Sequence, residues 1–387
     1  MIYLDNNATT TIDPRVADVI AEVLQAGPAN PSSQHSLGQA AHARVENALE
    51  SIASTLCTDF SLPGGPRLIF TSGGTESNNL ALTGLVDAHL PIVVSKIEHP
   101  SVLAVAQEAQ SDGRDVRWLN VDQNGVAQLD ELEGLIRSGG HKVGLVSLMS
   151  ASNETGVIQP IELAAEICKK NNVLLHVDAT QTIGKIPTNL SSLGASAVTF
   201  SAHKFHGPVG IGGLWLNSGV QLQPMFRGGE QQLTSRPGTI PVALIVAMAE
   251  ALRFSVDESE QTNAKLRQLR DQLENSLWES HCDLVIHGKS VERLPGTTCI
   301  SFPPCDRQSM LMALDFAGIA CSSGSACSSG SSPPSHVLIA MDAEKALVES
   351  ALRFGVSKFT TNEDIQSAKD RISNVYQRIK STKSSKE

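Results

Sequence analysis

Between residues 68 and 216 short apolar, β-rich runs alternate with stretches of helical period. The runs RLIFTS, PIVVS, VRWLNV, VGLVSLM and VLLHVD are separated by helical patterns at 75–89, 100–112, 129–137 and 161–171. This alternation predicts an α/β fold with a mostly parallel sheet covered by helices. Ligands of such sheets bind beyond the carboxyl ends of the strands. Upstream, Val45, Ala48, Leu49, Ile52 and Leu56 fall at helical spacing within 36–57, a helix expected to pack rather than to bind. Downstream, a helical stretch of about 240–280 leads to strand-like VIHG and TTCISF, a helix near 307–317 and an amphipathic helix around 362–379. The C-terminal third therefore reads as a smaller α+β unit.

The chain of 387 residues is long enough for a large domain and a smaller one. Thirty Lys and Arg against 40 Asp and Glu give a formal charge of -10, which argues against a nucleic-acid surface. No apolar run is long enough to span a bilayer, and the N-terminus lacks the charged-then-apolar order of a signal peptide. The expectation is a cytoplasmic protein without a membrane or nucleic-acid partner. The seven cysteines, at 57, 168, 282, 299, 305, 321 and 327, are odd in number and nowhere form a metal-type CxxC pair. Free thiols are expected, with neither a disulfide framework nor a metal site.

Two motifs carry the chemistry. HVDATQ (176–181) places Asp178 after Val173-Leu174-Leu175, and SAHKFHGP (201–208) places Lys204 after Ala197-Val198-Thr199-Phe200. Both side chains are expected at neighbouring strand ends in one crevice. A lysine amine forms a Schiff base with an aldehyde, and a carboxylate keeps a pyridine nitrogen protonated, so the pair points to pyridoxal 5'-phosphate. His176, Gln181, Ser201 and His203 cluster around them.

In TSGGTESNN (71–79), Gly73 and Gly74 let backbone N–H groups turn toward an anion at a helix start, where Thr75 alternatively serves as an ordinary cap. Joined to Ser201 and His203, the motif reads as a phosphate anchor. His99 follows PIVVS, where its ring can stack on a cofactor and relay protons, or simply cap a helix. Asn153 and Gln181 offer neutral donors to a phenolic oxygen. Arg353, within strand-like ALRFGVS, calls for a carboxylate partner, either a substrate's or an internal one. Cys327 sits in SSGSACSSGSSPP (322–334), too poor in apolar residues to pack, and reads as a nucleophile; Cys321, beside GIA, reads as a packing residue.

From YLDNNATT at residue 3 to RFGVSKFTT ending at 361, the chain resembles the NifS/IscS-like cysteine desulfurases, class V members of the aminotransferase-fold (fold type I) pyridoxal phosphate enzymes. NPSSQHSLG, TSGGTESNNLAL, HVDATQ, SAHKFHGP, RPGT and SSGSAC stand in the family's order. The resemblance implies a large cofactor-binding domain at 15–257 and a small domain at 1–14 and 258–387 that carries the cysteine loop. It also implies that Lys204 carries the cofactor, Asp178 holds the pyridine nitrogen, Gln181 contacts the phenolic oxygen and His99 stacks on the ring. Gly74, Thr75, Ser201 and His203 look like phosphate ligands, and Thr239 of RPGT resembles a residue that reaches the phosphate across a homodimer. Asn30, Asn153 and Arg353 match positions that hold the substrate L-cysteine, and Cys327 matches the persulfide-forming cysteine.

GGEQQLTSR departs from the family's usual stretch at Glu230 and Leu233, and Ser152 replaces an asparagine usually paired with Asn153. These changes bear on substrate fit and exchange more than on chemistry. The chain stops soon after its last helix, so docking to an iron–sulfur scaffold protein is not assumed. The implied reaction converts L-cysteine to L-alanine, with Cys327 attacking the substrate sulfur and His99 as the proton acceptor. A selenocysteine lyase, another class V aminotransferase, or a non-catalytic scaffold are the alternatives.

Overall fold

The computed structural model describes residues 1–28, 30–324 and 333–384. Its strands are β1 (Ile2–Tyr3), β2 (Arg67–Thr71), β3 (Ile92–Ser95), β4 (Val116–Leu119), β5 (Leu145–Met149), β6 (Leu174–Asp178), β7 (Ala197–Ser201) and β8 (Gly212–Leu216), then β9 (Val285–Ile286), β10 (Thr297–Ser301), β11 (Ile319–Ala320) and β12 (Ala351–Gly355). Strands β2 to β8 form one seven-stranded sheet in the order β2-β8-β7-β6-β5-β3-β4. Only β8 runs against its neighbours, pairing antiparallel with both β2 and β7. The remaining pairs are parallel.

Helices cover this sheet because every residue of β5, β7 and β8 is buried, leaving no strand face for water. Phe200 and Trp215 are fully buried in its core. Each contributes about 1.5–3 kcal/mol by leaving water, as an upper estimate. Helices Pro14–Gln25 and Ser36–Thr55 both pack on Val242–Asp257. Asp13 starts the first of them by accepting from the Arg15 backbone N–H at 3.0 Å, with Pro14 in the first turn.

A second apolar core joins Ile2 and Leu4 to Leu269, Leu273, Ile300, Phe354, Ile372 and Tyr376. It surrounds the antiparallel sheet β12-β10-β9 and the parallel pair β1-β11. Ile97, Val121 and Met149 pack with Cys299, Val337, Leu338 and Val348, which ties the two regions together. Among the described residues no helix is long and apolar enough to cross a membrane.

Candidate active site

Five chain segments converge at the carboxyl ends of the parallel strands. Gly74 and Thr75 follow β2, His99 follows β3, Asn153 and Glu154 follow β5, Thr180 and Gln181 follow β6, and His203 and Lys204 follow β7. With Asn7, Asp178, Ser201 and Arg353 they line a cavity of about 410 Å³. Because β6 and β7 are adjacent and parallel, Asp178 and Lys204 reach it from neighbouring strand ends.

The amine of Lys204 donates to the backbone oxygens of Asn7 at 2.6 Å and Ala8 at 2.7 Å. Burial, with help from the Arg353 cation and against the charges of Asp178 and Asp5, pushes its pKa down to about 8. The buried Asp178 accepts from Asn78 Nδ2 at 2.8 Å on one oxygen and from the Thr180 N–H at 3.0 Å on the other. A carboxylate offers about four lone-pair sites, so room remains for a further donor. Gln181 donates from Nε2 to Asn7 O at 3.2 Å, and its Oε1 accepts from Lys185 Nζ at 2.7 Å. Two residues before Asp178, His176 bonds Ser147 at 2.9 Å and Thr199 at 3.0 Å. It is a buried structural residue, pushed down to about 4 by desolvation.

Gly73 has φ 156° and ψ -175°, a backbone state that L side chains rarely adopt. It turns the chain into the helix Gly74–Gly84, whose first-turn N–H groups have no intrahelical acceptor. A Cβ on Gly74 would stand 3.2 Å from Thr180 Oγ1, a buried oxygen with no partner among the described residues. Ser201 and His203 line the same cavity. Burial, then the Lys204 and Lys185 charges, pushes His203 down to about 4, so it is neutral near pH 7.

His99 takes the capping role that the sequence offered as one alternative, from a position on the cavity wall. The ring lines the cavity, and its Nδ1 caps the helix Pro100–Ser111 by accepting from Ser101 N at 3.1 Å. Burial holds its pKa below the usual histidine range. The lone pair of Nδ1 is thus engaged by Ser101 within the fold. For Arg353 the structure shows the internal carboxylate partner, Asp5. Nη2 pairs with Asp5 Oδ1 at 2.8 Å and Nη1 donates to Asn153 O at 3.1 Å, while Nε and Asn153 Oδ1 stay buried without partners among the described residues.

Two expected site residues lie off the cavity lining. Asn30 is exposed, and its side chain closes a local turn by accepting from Ser32 N at 3.0 Å. Thr239 is also exposed. Cys327 and most of the 322–334 segment lie outside the described residues. Cys321 packs against the smaller core, and burial raises its thiol pKa. Sequence reasoning missed Asn78, Ser101, Lys185 and Asp5. Only the polar triplet Ser77-Asn78-Asn79 in an otherwise apolar-spaced helix could have flagged the first.

A doubly wound sheet with lysine and aspartate at adjoining strand ends, facing a helix N-terminus, defines the fold type I class of pyridoxal phosphate enzymes. Residues 2–367 match the aminotransferase class-V family, and the chain belongs to it. It is 38% identical over 371 residues to a mitochondrial cysteine desulfurase of Eremothecium gossypii, covering 94% of this chain and 74% of the relative. It is 37% identical to the cysteine desulfurase IscS of Salmonella schwarzengrund, over 96% of this chain and 91% of that one. A solved NifS-like protein from Rickettsia africae superposes with a TM-score of 0.90 at 33% identity, covering 97% and 99% of the two chains.

Proposed function

We propose that this chain is a pyridoxal 5'-phosphate-dependent cysteine desulfurase that turns L-cysteine into L-alanine and retains the sulfur on Cys327 as a persulfide. The single observation that carries the reading is the pairing of Lys204 and Asp178 at neighbouring strand ends around one cavity. The residues present fit the cofactor. Lys204 would hold its aldehyde, Asp178 its pyridine nitrogen and Gln181 its phenolic oxygen, with His99 against the ring. The N-terminus of helix Gly74–Gly84, with Thr75, Ser201 and His203, would hold the phosphate, and the Thr180 oxygen, without a partner among the described residues, offers a further contact. When bound, the group supplies an electron sink that weakens the substrate C–S bond.

The chain's own residues do the remainder. Lys204, a weaker base than an exposed lysine, takes and returns the proton at the substrate α-carbon. Arg353 and Asn153 orient the amino acid; Asn30 joins them only if its segment turns toward the cavity on binding. The reaction balances without an external oxidant: L-cysteine plus the Cys327 thiol gives alanine plus the persulfide. The small unit of 1–14 and 258–387 would carry the cysteine loop against the large unit of 15–257. The exposed Thr239 fits a homodimer in which it serves the second copy's phosphate. An iron–sulfur scaffold protein or another sulfur carrier would then accept the sulfur.

Incubation of the purified protein with L-cysteine tests this directly, with alanine measured and the Cys327 peptide examined by mass spectrometry for added sulfur. Cys327→Ala should stay yellow yet lose sulfide release. A selenocysteine lyase or transaminase would be recognised by turnover that survives that change.

A further inference from the structure

Asn78 has two amide N–H bonds and both are committed to the site. One goes to Asp178 Oδ2 at 2.8 Å and the other to Ser101 Oγ at 2.9 Å. A carboxylate only accepts, which fixes the nitrogen of the Asn78 amide on this side. Ser101 Oγ therefore accepts from Asn78, and its own hydrogen must point elsewhere. His99 Nδ1 lies 2.7 Å from that hydroxyl and 3.1 Å from the Ser101 backbone nitrogen. A backbone N–H can only donate, so Nδ1 presents a lone pair to it, and the hydroxyl hydrogen converges on the same lone pair. A neutral imidazole that accepts at Nδ1 carries its proton on Nε2.

We infer that Asn78 and Ser101 are positioning residues that lock His99 as the Nε2–H tautomer, so the ring offers the cavity a donor rather than a base. Proton uptake at Nδ1 breaks the bond from the Ser101 backbone N–H that caps helix Pro100–Ser111 and forces the Ser101 hydroxyl to turn from donor to acceptor. Uptake at Nε2 is closed until that nitrogen has first given up its proton. His99 thus gives a hydrogen bond or proton to an electron-rich atom in the cavity, and the thiol proton of the sulfur-accepting cysteine has to leave by another route. The meaning for desulfuration rests on the function proposed above; the tautomer itself does not. The charged or titratable groups around the ring are Asp178, Lys204, His336 and Arg353, and none of them is altered in the variants below.

The test uses cofactor-free protein labelled with ¹⁵N-histidine, with His99→Gln identifying the signal by its loss. The expected spectrum shows an unprotonated Nδ1 and a protonated Nε2 at neutral pH. Ser101→Ala removes a donor that favours the neutral ring, so the His99 pKa should move up. Asn78→Ala frees the hydroxyl to accept instead, and should shift the pKa the same way and mix the tautomers. A protonated Nδ1 in the unaltered protein overturns the inference, as does a tautomer and pKa left unmoved in both variants. Because no cofactor or turnover is involved, failure here leaves the desulfurase reading to its own assay.

Discussion

Arg353 and Asp5, 348 positions apart in the chain, meet at 2.8 Å beside the cavity, and the guanidinium keeps its Nε buried and without a partner among the described residues. The pair joins β12 to the residues after β1, so the fold itself holds the cation in place before any substrate arrives. An arginine already oriented by one carboxylate loses less freedom on meeting a second.

Arg353→Lys should therefore raise KM for L-cysteine by roughly 10- to 100-fold, the equivalent of about 1.5–3 kcal/mol for a lost charged hydrogen bond. The yellow colour should be retained. Steady-state kinetics beside an absorbance spectrum separates the two, and an unchanged KM would remove Arg353 from the substrate site.

The strand–helix alternation was legible because five strands are short, apolar and bounded by polar turns. Asp178 and Lys204 could be placed in one crevice for the same reason, since the parallel order puts both strand ends on one edge. Strand β8 escaped, because GGLWL has no alternation and opens on two glycines that a close approach requires: a Cβ on Gly212 would stand 2.8 Å from Gly73. Asn78, Ser101, Lys185 and Asp5 were invisible for another reason. Asn78 and Asp5 act on partners brought near by folding, 100 and 348 residues away, whereas Ser101 and Lys185 act on His99 and Gln181 two and four residues before them, contacts whose meaning shows only once those partners are known to line the cavity. Asn30 shows the reverse case, a motif residue whose side chain serves its own turn.

Lys204 should capture pyridoxal phosphate only as the neutral amine. Its pKa near 8 makes the second-order capture rate of cofactor-free protein rise with pH and level off above about 8, rather than near the ordinary lysine value of about 10.4. Stopped-flow absorbance across that range reads it. A rate still climbing well above the predicted plateau would show that burial does not depress this amine.

Lys185 holds Gln181 by its amide oxygen at 2.7 Å, which turns the amide nitrogen toward Asn7 and the cavity. Lys185→Met should let that amide turn over and present its oxygen, a worse neighbour for a phenolate. The visible absorbance of the loaded protein should then titrate at higher pH than before. Lys185→Arg, which keeps a donor, should restore it in part.

Arg293 and Glu274 form a bidentate pair at 2.8 and 3.0 Å, with both side chains almost wholly buried. Removing one partner strands the other charge, so Glu274→Ala should cost about 3–5 kcal/mol in chemical denaturation. A well-packed apolar replacement of both should cost far less than the sum of the single changes.

Glu98 is fully buried beside the site, and its Oε1 accepts from the Met149 N–H at 2.6 Å. Desolvation foremost, then the Asp178 charge, raises its pKa well above the usual carboxylate range. The folded protein therefore holds this proton when the unfolded chain has already released it. Since stability falls with pH wherever the native state binds more protons, the protein loses stability from the ordinary carboxylate range up to the raised value. Below that range both states are protonated and the effect vanishes. Glu98→Gln keeps an acceptor for Met149 and carries no charge, so it should match the unaltered protein in acid and exceed it increasingly toward neutral pH. Denaturation midpoints at a series of pH values decide the matter, because two parallel curves would mean that Glu98 is ionised inside the fold and stabilised by contacts other than those that bury it.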